Sequence, residues 1–338
     1  MGYLPADQRP EWASDFDHLG LDLLLDGRTR QFLCVGILRL YYPLRLRTKF
    51  PVCATVSLMN KEPSRSIHFF HEKSVLITGA SSGIGEELAY QLAYSGARLM
   101  LAARRQDELA RVAQNIAARG NPAPLTAICD VARDGDVERA VVDAVRHHGH
   151  LDVVFANAGF GVVGPFQKLS LDDYHRQFET NVFGVLRTLY ATLPELEKTR
   201  GNFAIVGSVS GWVANPGASP YAMSKFAVRA LANSVTPELR TAGVELTLLS
   251  PGFVVSNIRR VDNRGNLHPR AADPIPAWIQ MSTQRCARQM LQAVARGQRE
   301  RIITGHGKLL VALERFSPWF IRAFSGRVRP VYDSRSSL

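Results

Sequence analysis

No stretch of this 338-residue chain reaches the ~20 consecutive apolar residues that a membrane-spanning helix needs. The best candidate, 32–38, is interrupted by Arg39, Arg45 and Arg47, and no transmembrane helix is expected. Cysteine is also scarce. Cys34, Cys53, Cys129 and Cys286 are scattered, with no pair at metal-binding or redox spacing. That pattern excludes a disulfide framework and points to a reducing, cytoplasmic setting. A cleaved secretory leader is not expected either, because Asp7, Glu11, Asp15, Asp17, Asp22 and Asp26 precede the apolar run where a short basic region should stand. Metal-ligand spacing is missing as well: His147, His148 and His150 cluster at a helix end beside Gly149, without carboxylate or cysteine partners at zinc spacing, so they read as a solvated cap and no metal is expected.

Acidic residues are short only in one region. The formal charge is +11, and residues 251–338 hold fifteen Lys and Arg against five Asp and Glu, whereas residues 71–250 are close to neutral. A nucleic-acid footprint would stripe the folded body, so no nucleic-acid partner is expected. The basic end suits an anionic surface or a solvated face.

Short apolar runs and helical stretches alternate from about residue 73. Strands are expected at 75–78, 98–102, 125–129, 153–156, 203–207, 245–249 and 301–304, with helices near 84–95, 106–119, 134–148, 171–197, 219–241 and 283–296. Such alternation implies right-handed crossovers and a parallel sheet covered on both faces: an α/β fold, Rossmann-like and doubly wound, in three α/β/α layers. Three regions follow. Residues 1–70 form an N-terminal extension outside the pattern, expected to be poorly ordered, with Met59 as an alternative start that would make 1–58 dispensable. Residues 71–305 form the catalytic domain. Residues 306–338 form a basic, aromatic-rich, amphipathic segment that could lie at a membrane interface or pack against the pocket or a partner.

Two motifs carry chemistry. Thr78-Gly79-Ala80-Ser81-Ser82-Gly83-Ile84-Gly85 follows an apolar strand and opens a helix, where a dinucleotide pyrophosphate meets backbone N–H groups and a helix N-terminus. Farther along, Tyr221 and Lys225 stand four apart and share a helix face. An ammonium beside a phenol favours the phenolate and makes tyrosine a usable general acid/base. Both point to hydride transfer with a nicotinamide cofactor.

With Asn157-Ala158-Gly159 after the fourth strand, Asn181 within the long helix, Ser208 ending the fifth strand, and then Tyr221 and Lys225, residues 73–305 resemble the short-chain dehydrogenase/reductase (SDR) family. The resemblance implies a catalytic set of Asn181, Ser208, Tyr221 and Lys225. Tyr221 would donate a proton to a carbonyl oxygen, Ser208 would hold and polarise that oxygen, Lys225 would also bind the nicotinamide ribose, and Asn181 would fix a water linking Lys225 to solvent. It further implies cofactor contacts from Gly79, Ser81, Ser82, Gly83, Ile84 and Gly85, from Asp130 and Val131 at the adenine, from Asn157, Ala158 and Gly159 beside the cofactor, and from Pro251, Gly252, Val254 and Ser256 at the carboxamide. Ser256 stands where threonine is usual in the family, and Ala156 where many members have a second asparagine.

The end of the second strand bears on cofactor choice. An NAD enzyme places an acid ~20 residues after the glycine turn; here the place holds Arg104 and Arg105. A guanidinium can clamp a 2′-phosphate that a carboxylate would repel, and NADP(H) is favoured over NAD(H). Phe160, Trp212 and Phe253 directly follow site motifs and are expected to line a pocket for an apolar ketone or alcohol, with 257–282, which carries Pro269, Pro274, Pro276 and Trp278, as a substrate lid. The expected function is interconversion of a carbonyl and an alcohol on a small molecule, by a cytoplasmic homo-oligomer with a possible peripheral membrane contact. A membrane-surface enzyme for a lipid or steroid-like substrate and a non-catalytic NADP-binding redox sensor are the alternatives. Retention of the serine, tyrosine and lysine favours an enzyme over the sensor.

Overall fold

A computed structural model describes residues 68–263, 268, 273 and 275–325, with the backbone of three short strands nearer the N-terminus. The chain divides into two units, 1–61 and 62–338. In the first, Gly2–Tyr3, Leu23–Leu25 and Phe32–Cys34 pair antiparallel in that order. Met59, residues 38–42, Pro269, Pro274 and residues 326–338 lie outside the described residues.

In the second unit the apolar runs form seven strands: β1 (Ser74–Thr78), β2 (Arg98–Ala103), β3 (Leu125–Ile128), β4 (Val153–Ala156), β5 (Asn202–Val206), β6 (Glu245–Ser250) and β7 (Glu300–Ile302). The intervening helices are α1 (Gly83–Tyr94), α2 (Gln106–Ala117), α3 (Asp136–His148), α4 (Leu171–Phe178), α5 (Gly184–Thr199), α6 (Ser219–Thr241) and α7 (Thr283–Ala295). Two more, α8 (Gly305–Phe316) and α9 (Pro318–Ser325), follow β7.

The strand pairs of this seven-stranded sheet are parallel, in the order β7-β6-β5-β4-β1-β2-β3. Successive strand side chains point to opposite faces, and the core splits accordingly. Val75, Ile77, Leu99, Leu101 and Phe155 pack in one cluster with Leu88 and Leu92 of α1 and Met290 of α7. Leu76, Met100, Val154, Phe203 and Ile205 pack in the other with Val141 of α3, Leu189 of α5 and Val228 of α6. From β1 the chain moves outward to β2 and β3, then returns to β4 on the other side. A crevice therefore opens at the carboxyl ends of β1 and β4, the topological switch point where doubly wound sheets bind ligands.

Two sequence expectations need refinement. The stretch 171–197 is helical throughout but not a regular α-helix, because a π-turn, Glu179–Phe183, joins α4 to α5. Arg187 braces that turn, bonding Asp134 at 2.5 Å and Glu179 at 2.6 Å. The last strand ends at Ile302, since the Thr304 hydroxyl accepts from the Gly307 N–H and caps α8. Beyond it, residues 305–325 form two helices, α8 and α9.

Candidate active site

The glycine turn at the end of β1 is shaped by close backbone approach. Gly79 has φ +66, and a Cβ there would lie 2.8 Å from the Ala158 Cα; one on Gly85 would strike the Gly79 carbonyl and come within 2.6 Å of Asn157 Nδ2. Asn157 ties the turn to β4. Its Nδ2 donates to the carbonyls of Thr78 (2.9 Å) and Gly79 (3.1 Å), while the Thr78 hydroxyl accepts from the N–H groups of Asn157 and Ala158, each at 3.1 Å. Ser82 caps α1 without a side-chain hydrogen bond to its first turn, leaving those N–H groups able to bind an anion. Glycines that admit no Cβ, on either side of a helix start whose N–H groups no side chain caps, fit a dinucleotide pyrophosphate.

Arg105 reaches back over this turn. Its guanidinium donates to the hydroxyls of Ser81 (3.1 Å) and Ser82 (2.7 Å). A serine hydroxyl that accepts one bond still has a proton to donate, so the three groups make one donor cluster. Arg104 lies 4.0 Å from the Asp130 carboxylate and is largely exposed. Asp130 also accepts from the Ala132 N–H at 3.1 Å. Val131 packs against Gly184, where a Cβ would approach its Cγ2 to 2.6 Å. Ser256 lies beside the glycine turn, its Cβ 3.6 Å from the Cβ position of Gly83.

The predicted catalytic residues come from three adjoining elements. Lys225 is buried on α6, its Nζ donating to the Val206 carbonyl at 2.9 Å and lying 5.8 Å from the centre of the Tyr221 ring. Burial pushes the pKa of Lys225 down to about 8. Ser208 begins the turn after β5, is buried, and accepts from the Ser210 N–H at 3.0 Å. That turn rests directly on α6, since a Cβ at Gly211 would lie 2.6 Å from the Lys225 carbonyl oxygen. Gly161 sits beside the tyrosine, its Cβ position 3.5 Å from Tyr221 Cδ2.

Asn181, 1% exposed, lies in the π-turn, and its side chain is fully engaged. Its Oδ1 accepts from the Phe160 N–H at 3.2 Å, while Nδ2 donates to the Phe160 carbonyl and the Ser224 hydroxyl, both at 3.1 Å. The segment after Gly159 is thus clamped through both backbone polar groups of one residue, Phe160. Of the proposed pocket aromatics, Phe160 belongs to this clamp and Phe253 stacks on His306 at 5.3 Å. Trp212 has the Arg229 guanidinium 3.3 Å from its ring centre and donates its indole N–H to the Ser250 hydroxyl at 3.4 Å. Trp278 is 85% exposed.

Three contributors escaped the sequence reading. Thr78 ends β1 just before the glycines, a position that could have been recognised. Gln177, fully buried, bonds the Phe160 carbonyl and the Val162 N–H; it stands four residues before Asn181, on the same helix face. His306 contacts Phe253, 53 residues away, and no local pattern marks it. The histidines near 148 serve packing: His148 bonds the Ser74 hydroxyl at 2.8 Å and His150 pairs with Asp152 at 3.0 Å. Among the described residues no group of three His, Cys, Asp or Glu could hold a metal ion, and no helix is long and apolar enough to cross a membrane.

A family model described as short chain dehydrogenase matches residues 73–266. The 11-beta-hydroxysteroid dehydrogenase 1A of Arabidopsis thaliana is 34% identical over 239 residues, covering 67% of this chain and 67% of that protein. Among solved structures, an alcohol dehydrogenase from the archaeon Thermococcus sibiricus, complexed with 5-hydroxy-NADP, superposes with a TM-score of 0.61 at 28% identity, over 69% of this chain and 96% of its own. A short chain dehydrogenase/reductase from Burkholderia phymatum, in complex with NAD, gives 0.66 at 24% identity, over 77% and 97%.

Proposed function

The chain belongs to the short-chain dehydrogenase family and is an oxidoreductase acting on CH–OH and C=O groups; we propose that its cofactor is NADP(H) and that Tyr221 is the general acid/base. The observation that carries this reading is the buried Lys225, fixed by the Val206 carbonyl one helical turn after Tyr221 and beneath the Ser208 turn.

Bound NADP(H) supplies a hydride to a carbonyl carbon or takes one from an alcohol. Tyr221 gives its proton to the carbonyl oxygen in reduction and takes it back in oxidation. The Ser208 hydroxyl donates to that same oxygen as charge develops on it. Lys225 contributes positive charge that favours the phenolate of Tyr221, and its remaining N–H groups are donors for ribose hydroxyls. Because the Asn181 side chain is committed to Phe160 and Ser224, a water linking Lys225 to solvent would be held by the main chain of the π-turn.

The choice of NADP(H) follows from the donor cluster of Arg105, Ser81 and Ser82, with Arg104 beside it. Arg104, Arg105, Ser81 and Ser82 would hold a 2′-phosphate there with two guanidinium groups and two hydroxyls, and the Asp130 carboxylate lies 4.0 Å from Arg104. The reading of Phe160, Trp212 and Phe253 as pocket residues favours an apolar substrate, and the name of the Arabidopsis relative suggests steroid-like ketones as candidates to test. A screen with NADPH, NADH and their oxidised forms over ketones, steroids and fatty alcohols tests the reading. Turnover faster with the NADP pair supports it; turnover with the NAD pair alone contradicts the cofactor choice.

A second reading, in which the enzyme works at a membrane surface, draws on α8 and α9. Leu309, Phe316 and Trp319 are 62%, 73% and 70% exposed beside the exposed Lys308 and Arg315. Apolar side chains flanked by cations suit an anionic lipid interface. Sedimentation with phosphatidylserine vesicles, lost on replacing Phe316 and Trp319 by serine, supports it; a wild-type protein left in the supernatant contradicts it.

A further inference from the structure

The backbone of the loop 251–256 is held almost entirely by groups outside it. The Pro251 carbonyl accepts from the Val209 N–H at 2.9 Å, the Phe253 carbonyl from the Met281 N–H at 2.9 Å, and the Val255 N–H donates to the Met281 carbonyl at 3.0 Å. Arg259, bridged to Asp273, donates to the Val254 carbonyl at 3.0 Å. The fixture at the centre of the loop is a side chain from another element: the Phe253 N–H donates to His306 Nε2 at 3.0 Å.

A backbone N–H can only donate, so His306 Nε2 is the bare nitrogen and the ring carries its proton on Nδ1. Thr304, the cap of α8, places its hydroxyl 3.2 Å from the same nitrogen. The imidazole also lies nearly parallel to the Phe253 ring, at 21° between planes. Gly252 lets this contact form, because a Cβ there would strike Thr304 Oγ1 and come within 2.5 Å of His306 Nε2. Burial of His306 lowers its pKa, which favours the neutral, accepting ring.

We propose that His306 is a positioning residue that fixes the Gly252-Phe253 backbone from the first turn of α8 and so sets the nicotinamide end of the cofactor site. The inference rests on the reading of 251–256 as the carboxamide-contacting loop. It makes a helix beyond the last strand part of the cofactor site, and it separates the two halves of that site. Loss of the His306 acceptor loosens the nicotinamide end and leaves Arg105, Ser81 and the glycine turn unchanged.

The test compares two ligands on the full chain: NADPH, which spans both halves, and adenosine 2′,5′-bisphosphate, which occupies only the adenosine half. In His306→Phe, which keeps a flat ring and loses the acceptor, the Kd for NADPH should rise about tenfold, as for one orphaned backbone donor, while that for the bisphosphate stays within about twofold. His306→Gln, which offers a carbonyl oxygen to the same N–H, should recover most of the loss. Gly252→Ala reaches the same contact from the opposite side and should reproduce the split, which keeps the test decisive if His306→Phe fails to fold. Equal weakening of both ligands, no weakening of either, or a glutamine variant as poor as the phenylalanine variant would overturn the inference. The wild-type chain binding neither NADPH nor the bisphosphate, and neither NADH nor ADP, would instead refute the reading of the site on which the inference rests. Preference for the NADH and ADP pair would refute only the cofactor choice, and the same split is then read with those two ligands.

Discussion

Lys225 donates to the Val206 carbonyl at 2.9 Å, tying the second turn of α6 to the end of β5. This bond aims a buried ammonium at the end of the sheet where the site lies. With its pKa pushed down to about 8 from 10.5, the side chain is protonated in both the folded and the unfolded chain below about pH 8. Between about 8 and 10.5 only the unfolded chain holds the proton.

The cofactor-free protein should therefore gain stability relative to Lys225→Met as pH rises through that window, because the unfolded state binds more protons there. Urea midpoints of both proteins at pH 7, 8, 9 and 10 check it. A difference that is flat, or that falls toward high pH, contradicts a depressed lysine.

Replacing Arg104 and Arg105 together by alanine should raise the Kd for NADPH by about 30-fold and that for NADH by less than about threefold, the expected loss of charge-assisted bonds to one phosphate. Fluorescence titration measures both. Equal losses would remove these arginines from 2′-phosphate recognition.

Gly85→Ala should destabilise the fold by about 2 kcal/mol, since a methyl group collides with the Gly79 carbonyl and Asn157 Nδ2 in a packed region. Thermal unfolding checks this. A melting temperature equal to the wild type would mean that the glycine turn is looser than the close approach of Gly79, Gly85 and Asn157 requires.

Much of this site is legible in the sequence because its signals are local. The glycines, the Ser81-Ser82 pair and the Tyr221/Lys225 spacing are each recognisable within one turn or one helix, although Asn157 and Arg105, which complete the glycine turn, come from distant segments, and strand periodicity brings these elements to one end of the sheet. Legibility fails where a contact joins distant segments. At the π-turn Glu179–Phe183, Asn181 meets Phe160 and Arg187 bridges Asp134 and Glu179, contacts with distant segments that no local pattern marks, so 171–197 reads as a regular α-helix. His306 meets Phe253 through the docking of α8, which no periodicity encodes. Trp212 follows a catalytic motif in sequence, yet its packing is decided by Arg229, one turn of α6 beyond Lys225.

Tyr221→Phe provides the most direct test of general acid/base catalysis, measured as turnover on the best substrate of the screen together with NADPH affinity by titration. The tyrosine account predicts a loss of at least ~10²-fold in turnover, the scale of a missing general acid, with the Kd for NADPH nearly unchanged because the glycine turn, Arg105 and Lys225 remain. Turnover above about a tenth of wild type, against that expected loss, would contradict it and assign the proton transfer to another group.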